Sequence, residues 1–89
     1  MSDKYSEILI NRILSLCQKR RITIYQLARM SGVSHSTIDN IINRKTYNPR
    51  IKTLHKIALA FSLTVAELLD FDELNNYSFD ESLSDEDSV

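Results

Sequence analysis

Glycine, proline and cysteine each occur once in these 89 residues, and tryptophan does not occur at all. So little glycine and proline leaves few tight turns, and no stretch alternates apolar with polar residues as a half-buried strand would. The composition is that of an all-helical protein. A lone cysteine cannot form an intramolecular disulfide, so Cys17 reads as a core residue of a protein kept in the reducing cytosol. Histidine stands only at positions 35 and 55, out of helical reach of Cys17, and a four-ligand zinc site cannot be assembled. No base sits beside the thiol to activate it. No glycine loop offers to cradle a phosphate and no carboxylate pair faces inward, so neither enzymatic chemistry nor a cofactor is expected. The apolar N-terminal stretch is broken by Asn11 and Arg12 and is too short to cross a bilayer, so no signal peptide or membrane helix is expected.

What the chain does have is aliphatic bulk and a divided charge. Ten Ile and eleven Leu allow a core in a single domain of a size that buries only about 60% of its unfolded surface. The net charge of −1 conceals an asymmetry: residues 1–69 hold all eleven Lys and Arg against four acids, a net of +7, and residues 70–89 hold eight acids and no base. A basic domain followed by an acidic tail is the pattern to explain.

The chain is organised around Thr23 to Ile42, TIYQLARMSGVSHSTIDNII. Thr23 with Gln26 forms a capping box, and Ile22 with Leu27 a hydrophobic staple, which together start a helix. Gly32 ends it, being free to take positive φ, and Ser34 caps the next helix with Val33 and Ile38 as its staple. Helices joined by so short a turn cannot lie antiparallel. Ala28 is small at their closest approach, and Leu27, Val33, Ile38 and Ile41 form the seam: a helix-turn-helix.

Around it the periodicity predicts a first helix over about Lys4 to Arg20, capped by Asp3 or Ser2, with Leu9, Ile13, Leu16 and Cys17 inward. Its closing Lys19, Arg20 and Arg21 suit the negative end of the helix dipole. A third helix runs from His35 to about Asn43 with Ile38, Ile41 and Ile42 inward. A fourth, about Ile51 to Phe61, buries Ile51, Leu54, Ile57, Ala58 and Phe61. Thr64 with Glu67 forms a second capping box and opens a short fifth helix ending near Asp70. The outward residues of the third helix, His35, Ser36, Asp39, Asn40 and Asn43, are polar but almost uncharged. Solvated faces more often carry Lys and Glu, whereas Asn, Ser and His can pair with base edges.

Thr23, Leu27, Ala28, Gly32, Val33, Ser34, Ile38 and Ile41, followed by Asn48-Pro49, Thr53-Leu54, Ile57-Ala58 and Thr64 to Leu69, resemble the XRE type of helix-turn-helix regulators. The likeness, which extends to phage Cro and repressor DNA-binding domains, covers residues 5 to 70. It implies a compact five-helix, lambda-repressor-like domain at residues 1–71, followed by an acidic, flexible tail at 72–89. It also implies a sequence-specific regulator, a repressor, that sets the third helix in the major groove of a roughly palindromic operator on double-stranded DNA, as a homodimer. The fifth helix would supply the dimer contact, with Leu69 and Phe71 suited to it. Base contact falls to His35, Ser36, Asn40 and Asp39. Phosphate contact falls to Arg20, Arg21, Thr23, Asn43, Arg44, Lys45, Tyr47 and Arg50, with the loop RKTYNPRIK beside the third helix lying along the backbone.

In two places the chain departs from the family. Cys17 and Ile42 replace an Arg and a Glu that often pair beneath the recognition helix, and both are expected to be buried and in contact. Arg44 stands where a glycine usually follows that helix, so either Asn43 or Arg44 should be left-handed. The rival reading is a protein-interaction module, or an antitoxin-like component, on the same scaffold. In the tail, Leu74, Tyr77, Phe79 and Leu83 punctuate the acids. Such a segment is suited to screening the basic face until a protein partner releases it.

Overall fold

The structure, a computed structural model, describes residues 4–43 and 48–79. Among them there is no strand, and the helices are α1 (Lys4–Arg20), α2 (Ile24–Ser31), α3 (His35–Ile42), α4 (Ile51–Ala60), α5 (Val65–Leu69) and α6 (Asp72–Asn75). The caps expected at Asp3 or Ser2, the loop residues Arg44, Lys45 and Tyr47, and the tail from Asp80 onward, Leu83 included, lie outside the described residues.

Local signals account for four of the helix ends. Thr23 Oγ accepts from the Gln26 amide at 3.0 Å, and the Thr23 amide donates to Gln26 Oε1 at 2.8 Å. The same reciprocal box joins Thr64 and Glu67 at 2.9 and 3.0 Å. Ser34 Oγ accepts from the Thr37 amide at the start of α3. Gly32, at φ 72°, closes α2 by donating its amide to the Ala28 carbonyl.

Two further helix ends use the left-handed conformation without glycine. Arg21 has φ 57° and Ser62 φ 61°. After each, the next amide reaches back five residues, Ile22 to the Cys17 carbonyl at 3.0 Å and Leu63 to the Ala58 carbonyl at 2.9 Å. These are Schellman closures of α1 and α4, with an Arg and a Ser where a side chain is strained. Ser62→Gly is therefore expected to stabilise the fold by about 0.5–1 kcal/mol, less than the full relief of strain because glycine also loosens the unfolded chain. The midpoint of thermal unfolding should rise by roughly 2–8 °C. A lowered midpoint would mean that Ser62 makes contacts worth more than its strain.

The core is a continuous aliphatic cluster. Leu9, Ile10, Ile13, Leu16 and Cys17 of α1 meet Leu27 and Ala28 of α2, Ile38 and Ile41 of α3, Leu54, Ile57 and Ala58 of α4, then Phe61 and Leu68. Cys17 is 5% exposed, and burial pushes its thiol pKa up, so the sulfur sits protonated among apolar neighbours. Ile42 is half-buried against the same cluster rather than fully enclosed.

Ile51, expected in the core, is 64% exposed. It is the first residue of α4, and a helical side chain leans toward the N-terminus, so here it leans past the end of the helix; the inward stripe begins one turn later at Leu54. Asn43 has φ −89° and is not left-handed, which removes one of the two conformations expected around the end of α3; the other, at Arg44, lies outside the described residues.

The described residues also make six helices instead of five. After α5 it turns at Phe71 into α6, which packs on α1. Tyr77 then meets the Tyr5 ring edge-on at 5.1 Å, and Phe79 lies 5.6 Å from Tyr5 and 4.8 Å from Tyr77. Three aromatics thus join the first turn of α1 to the end of the described chain.

Two arginines of α1 tie the far helices to it. Arg12 donates from Nε to the Leu68 carbonyl and from Nη2 to the Glu67 carbonyl, both at 2.9 Å, and lies 5.0 Å from the centre of the Phe71 ring. Arg20 Nη2 donates to the Phe61 carbonyl at 2.7 Å. Each guanidinium satisfies carbonyls at a helix C-terminus, where a cation also meets the negative end of the dipole.

Candidate nucleic-acid interface

The caps at Thr23 and Ser34 and the left-handed Gly32 fix how α3 emerges beside α2. Ile38 and Ile41 are buried, which orients α3 and leaves Ser36, Asp39, Asn40 and Asn43 exposed along its opposite side, with His35 half-buried at its start. Four of the residues expected to read bases, His35, Ser36, Asp39 and Asn40, therefore come from one helix of eight residues. Ser36 and Asn40 stand one turn apart, as do His35 and Asp39.

His35 is the most constrained of the four. Its ring stacks on Tyr25 with centroids 4.1 Å apart and planes 11° from parallel. Its Nδ1 stands 3.9 Å from Asp39 Oδ2, close enough for charge to be felt and too far for a hydrogen bond. Its Nε2 is buried with no hydrogen-bond partner among the described residues.

Beside α3 lies a cleft toward the start of α4, lined by Thr37, Asn40, Asn48, Pro49, Arg50 and Thr53. Arg50 is the exposed N-cap residue of α4, and its side chain makes no capping bond, so the guanidinium is not committed to its own helix. Arg21 is exposed at the end of α1, and Arg20, also exposed, keeps further N–H groups besides the one given to Phe61. Thr23 uses its amide and one oxygen lone pair in the capping box, which leaves its hydroxyl hydrogen free to donate. Between Ile8 and Ala66 the sequence has ten cations and Asp39 as its one acid. The charge of this part of the molecule is positive, and the exposed side of α3 is itself nearly neutral.

Tyr25 and Thr37 have no place in the expected site, and Asn48 has only its place in the Asn48-Pro49 motif. Tyr25 carried a signal in retrospect: a large aromatic on the outer side of a helix, at a position where the core has no use for it. Thr37 and Asn48 enter the cleft only because α4 folds back beside α3, which no local pattern encodes. Among the described residues no cluster of His, Cys, Asp or Glu is arranged to hold a metal, and no helix is long and apolar enough to cross a membrane.

The crystal structure of the prophage Lp1 protein 11 is similar, with a TM-score of 0.74 at 22% identity, covering 86% of this chain and 100% of that chain. At that identity the likeness is one of fold. No curated protein sequence matches the chain. The sequence model of the Cro/C1-type HTH DNA-binding domain matches residues 12–73, most of the chain and all of the capped two-helix unit just described. On that match the protein belongs to the Cro/C1-type helix-turn-helix DNA-binding family.

Proposed function

We propose that the protein is a sequence-specific transcriptional regulator, a repressor, that lays α3 in the major groove of a roughly palindromic operator and acts in the cytosol. The observation that carries this reading is the exposed side of α3, Ser36, Asp39, Asn40 and Asn43, whose hydrogen-bonding groups stand free while cations gather on the neighbouring elements. In that arrangement Asn40 pairs with adenine, Ser36 donates or accepts, and His35 and Asp39 work at the start of the helix. Arg20, Arg21, Thr23, Asn43 and Arg50, together with Arg44, Lys45 and Tyr47 of the intervening loop, hold phosphates. Binding as a homodimer uses the hollow in which exposed Ile51 meets Pro49, Leu69 and Leu74. Phe71 serves less well there, being half-buried beside the Arg12 guanidinium. The basic domain at residues 1–71 does this work, closed by α6 and the aromatics up to Phe79, and the acids at 72–89 temper it by their charge.

The test is affinity for random duplex measured against salt by fluorescence anisotropy. Each phosphate neutralised adds about −0.9 to the slope of log affinity against log salt, so five cations in contact give roughly −4.5. A slope near zero, with little binding at low salt, would instead favour a protein-interaction module on this scaffold.

A further inference from the structure

Tyr25 is 68% exposed and lies outside the core, yet it makes the closest ring contact among the described residues, flat on His35. The two residues come from different helices, as the second of α2 and the first of α3, and the turn at Gly32 brings them together. With one face against Tyr25, the imidazole cannot turn freely. Its edges are then distinct: Nε2 is buried without a partner, and Nδ1 points toward Asp39 Oδ2 at 3.9 Å.

We propose that Tyr25 is a specificity-determining positioning residue. It holds His35 so that the imidazole Nδ1–H and the Asp39 carboxylate form a donor and acceptor couple that reads one G·C pair in the major groove. The inference rests on the groove-reading function proposed above. A buried N–H without an acceptor would lose its water partner with nothing in exchange, so the neutral ring carries its hydrogen on Nδ1. That hydrogen lies on the edge nearest Asp39, and the separation is too long for the two groups to satisfy one another. Both remain open to a base pair. On the major-groove edge of G·C, guanine O6 is an acceptor and its neighbour, cytosine N4, is a donor; imidazole meets the first and carboxylate the second. This also gives the acid a purpose beside a polyanion. Repelled by phosphate, Asp39 is attracted by a cytosine amino group, and it disfavours any base that turns an acceptor toward it.

The experiment is selection of bound duplexes from a random pool by the full chain and by Tyr25→Leu, Tyr25→Phe and Asp39→Ala, with thermal melts of each to show that the exposed substitutions leave the fold intact. The wild type should select G·C at one position of each half-site. Tyr25→Leu and Asp39→Ala should each reduce that preference by about 5-fold or more while leaving the other positions unchanged, and Tyr25→Phe, which keeps the ring, should preserve it. Combining Tyr25→Leu with His35→Ala should lower the preference no further than His35→Ala alone. The proposal is overturned if Tyr25→Leu leaves every position unchanged, if it weakens selected and random duplex equally, or if the sensitive pair is A·T. Failure of the wild type to select any sequence would instead overturn the groove-reading function, and this inference with it.

Discussion

Replacing Arg12 with leucine is expected to lower the unfolding free energy by about 2–4 kcal/mol, which for a chain of this size moves the thermal midpoint down by roughly 10–25 °C. The guanidinium gives two 2.9 Å hydrogen bonds to the Leu68 and Glu67 carbonyls, partners more than fifty residues away. Hydrogen bonds from a charged donor contribute more than neutral ones; of the two carbonyls left behind at the end of α5, that of Glu67 keeps the Asp70 amide at 3.3 Å, and that of Leu68 loses its donor. The stack on Phe71 adds a smaller part, and the half-exposure of Arg12 keeps the sum below that of a buried ion. Arg12→Lys keeps the charge but loses the planar two-pronged donor, so it should fall between the two. Urea or thermal unfolding decides the matter. If leucine proved as stable as arginine, these bonds would merely replace ones that water makes equally well.

Asn40→Ala is expected to weaken binding to a selected operator by about 1–3 kcal/mol, roughly 5- to 150-fold, and to relax the preference at a single base pair. Asn40 is exposed on α3 and borders the cleft that Arg50 shares, so the two substitutions sample neighbouring points of one surface by different chemistry. Arg50→Ala should weaken operator and random duplex together and make the salt slope shallower by about 0.9. Equal behaviour of the two variants across sequences and salt would contradict the division between base and phosphate contacts.

Asn40 and Arg12 differ in how far the sequence disclosed them. The exposure of Asn40 was legible because it depends on one helix: once Ile38 and Ile41 are turned inward, the opposite side follows from the helical period. The capping boxes at Thr23 and Thr64 were legible for a similar reason, since each partner lies three residues away. Arg12 was hidden, because nothing near it in sequence indicates that its partners are the last carbonyls of α5. The Schellman ends at Arg21 and Ser62 escaped for another reason. Their usual marker is glycine, and this chain spends its one glycine at position 32. Ile51 misled because periodicity assigns a side to a residue without saying whether another element reaches that far along the helix. The paired loss of charge at Cys17 and Ile42 was half visible: the cysteine is enclosed, and the isoleucine only leans on the core. The stack of Tyr25 on His35 combines two of these difficulties, being tertiary in origin and formed by residues that do not serve the core.

The family match begins at residue 12, after two core residues have already passed. Leu9 and Ile10 are 6% and 1% exposed, and Tyr5, before them, is where Tyr77 and Phe79 come to rest beyond the other limit at residue 73. The stretch that the family model matches and the unit that folds therefore have different edges in this protein. A fragment trimmed to the shared portion would retain every residue proposed to touch DNA and yet lack the first two turns of α1 and the aromatic closure that rests on them. The matched stretch carries the proposed DNA-contacting surface, and the part that completes the globule lies on either side of it.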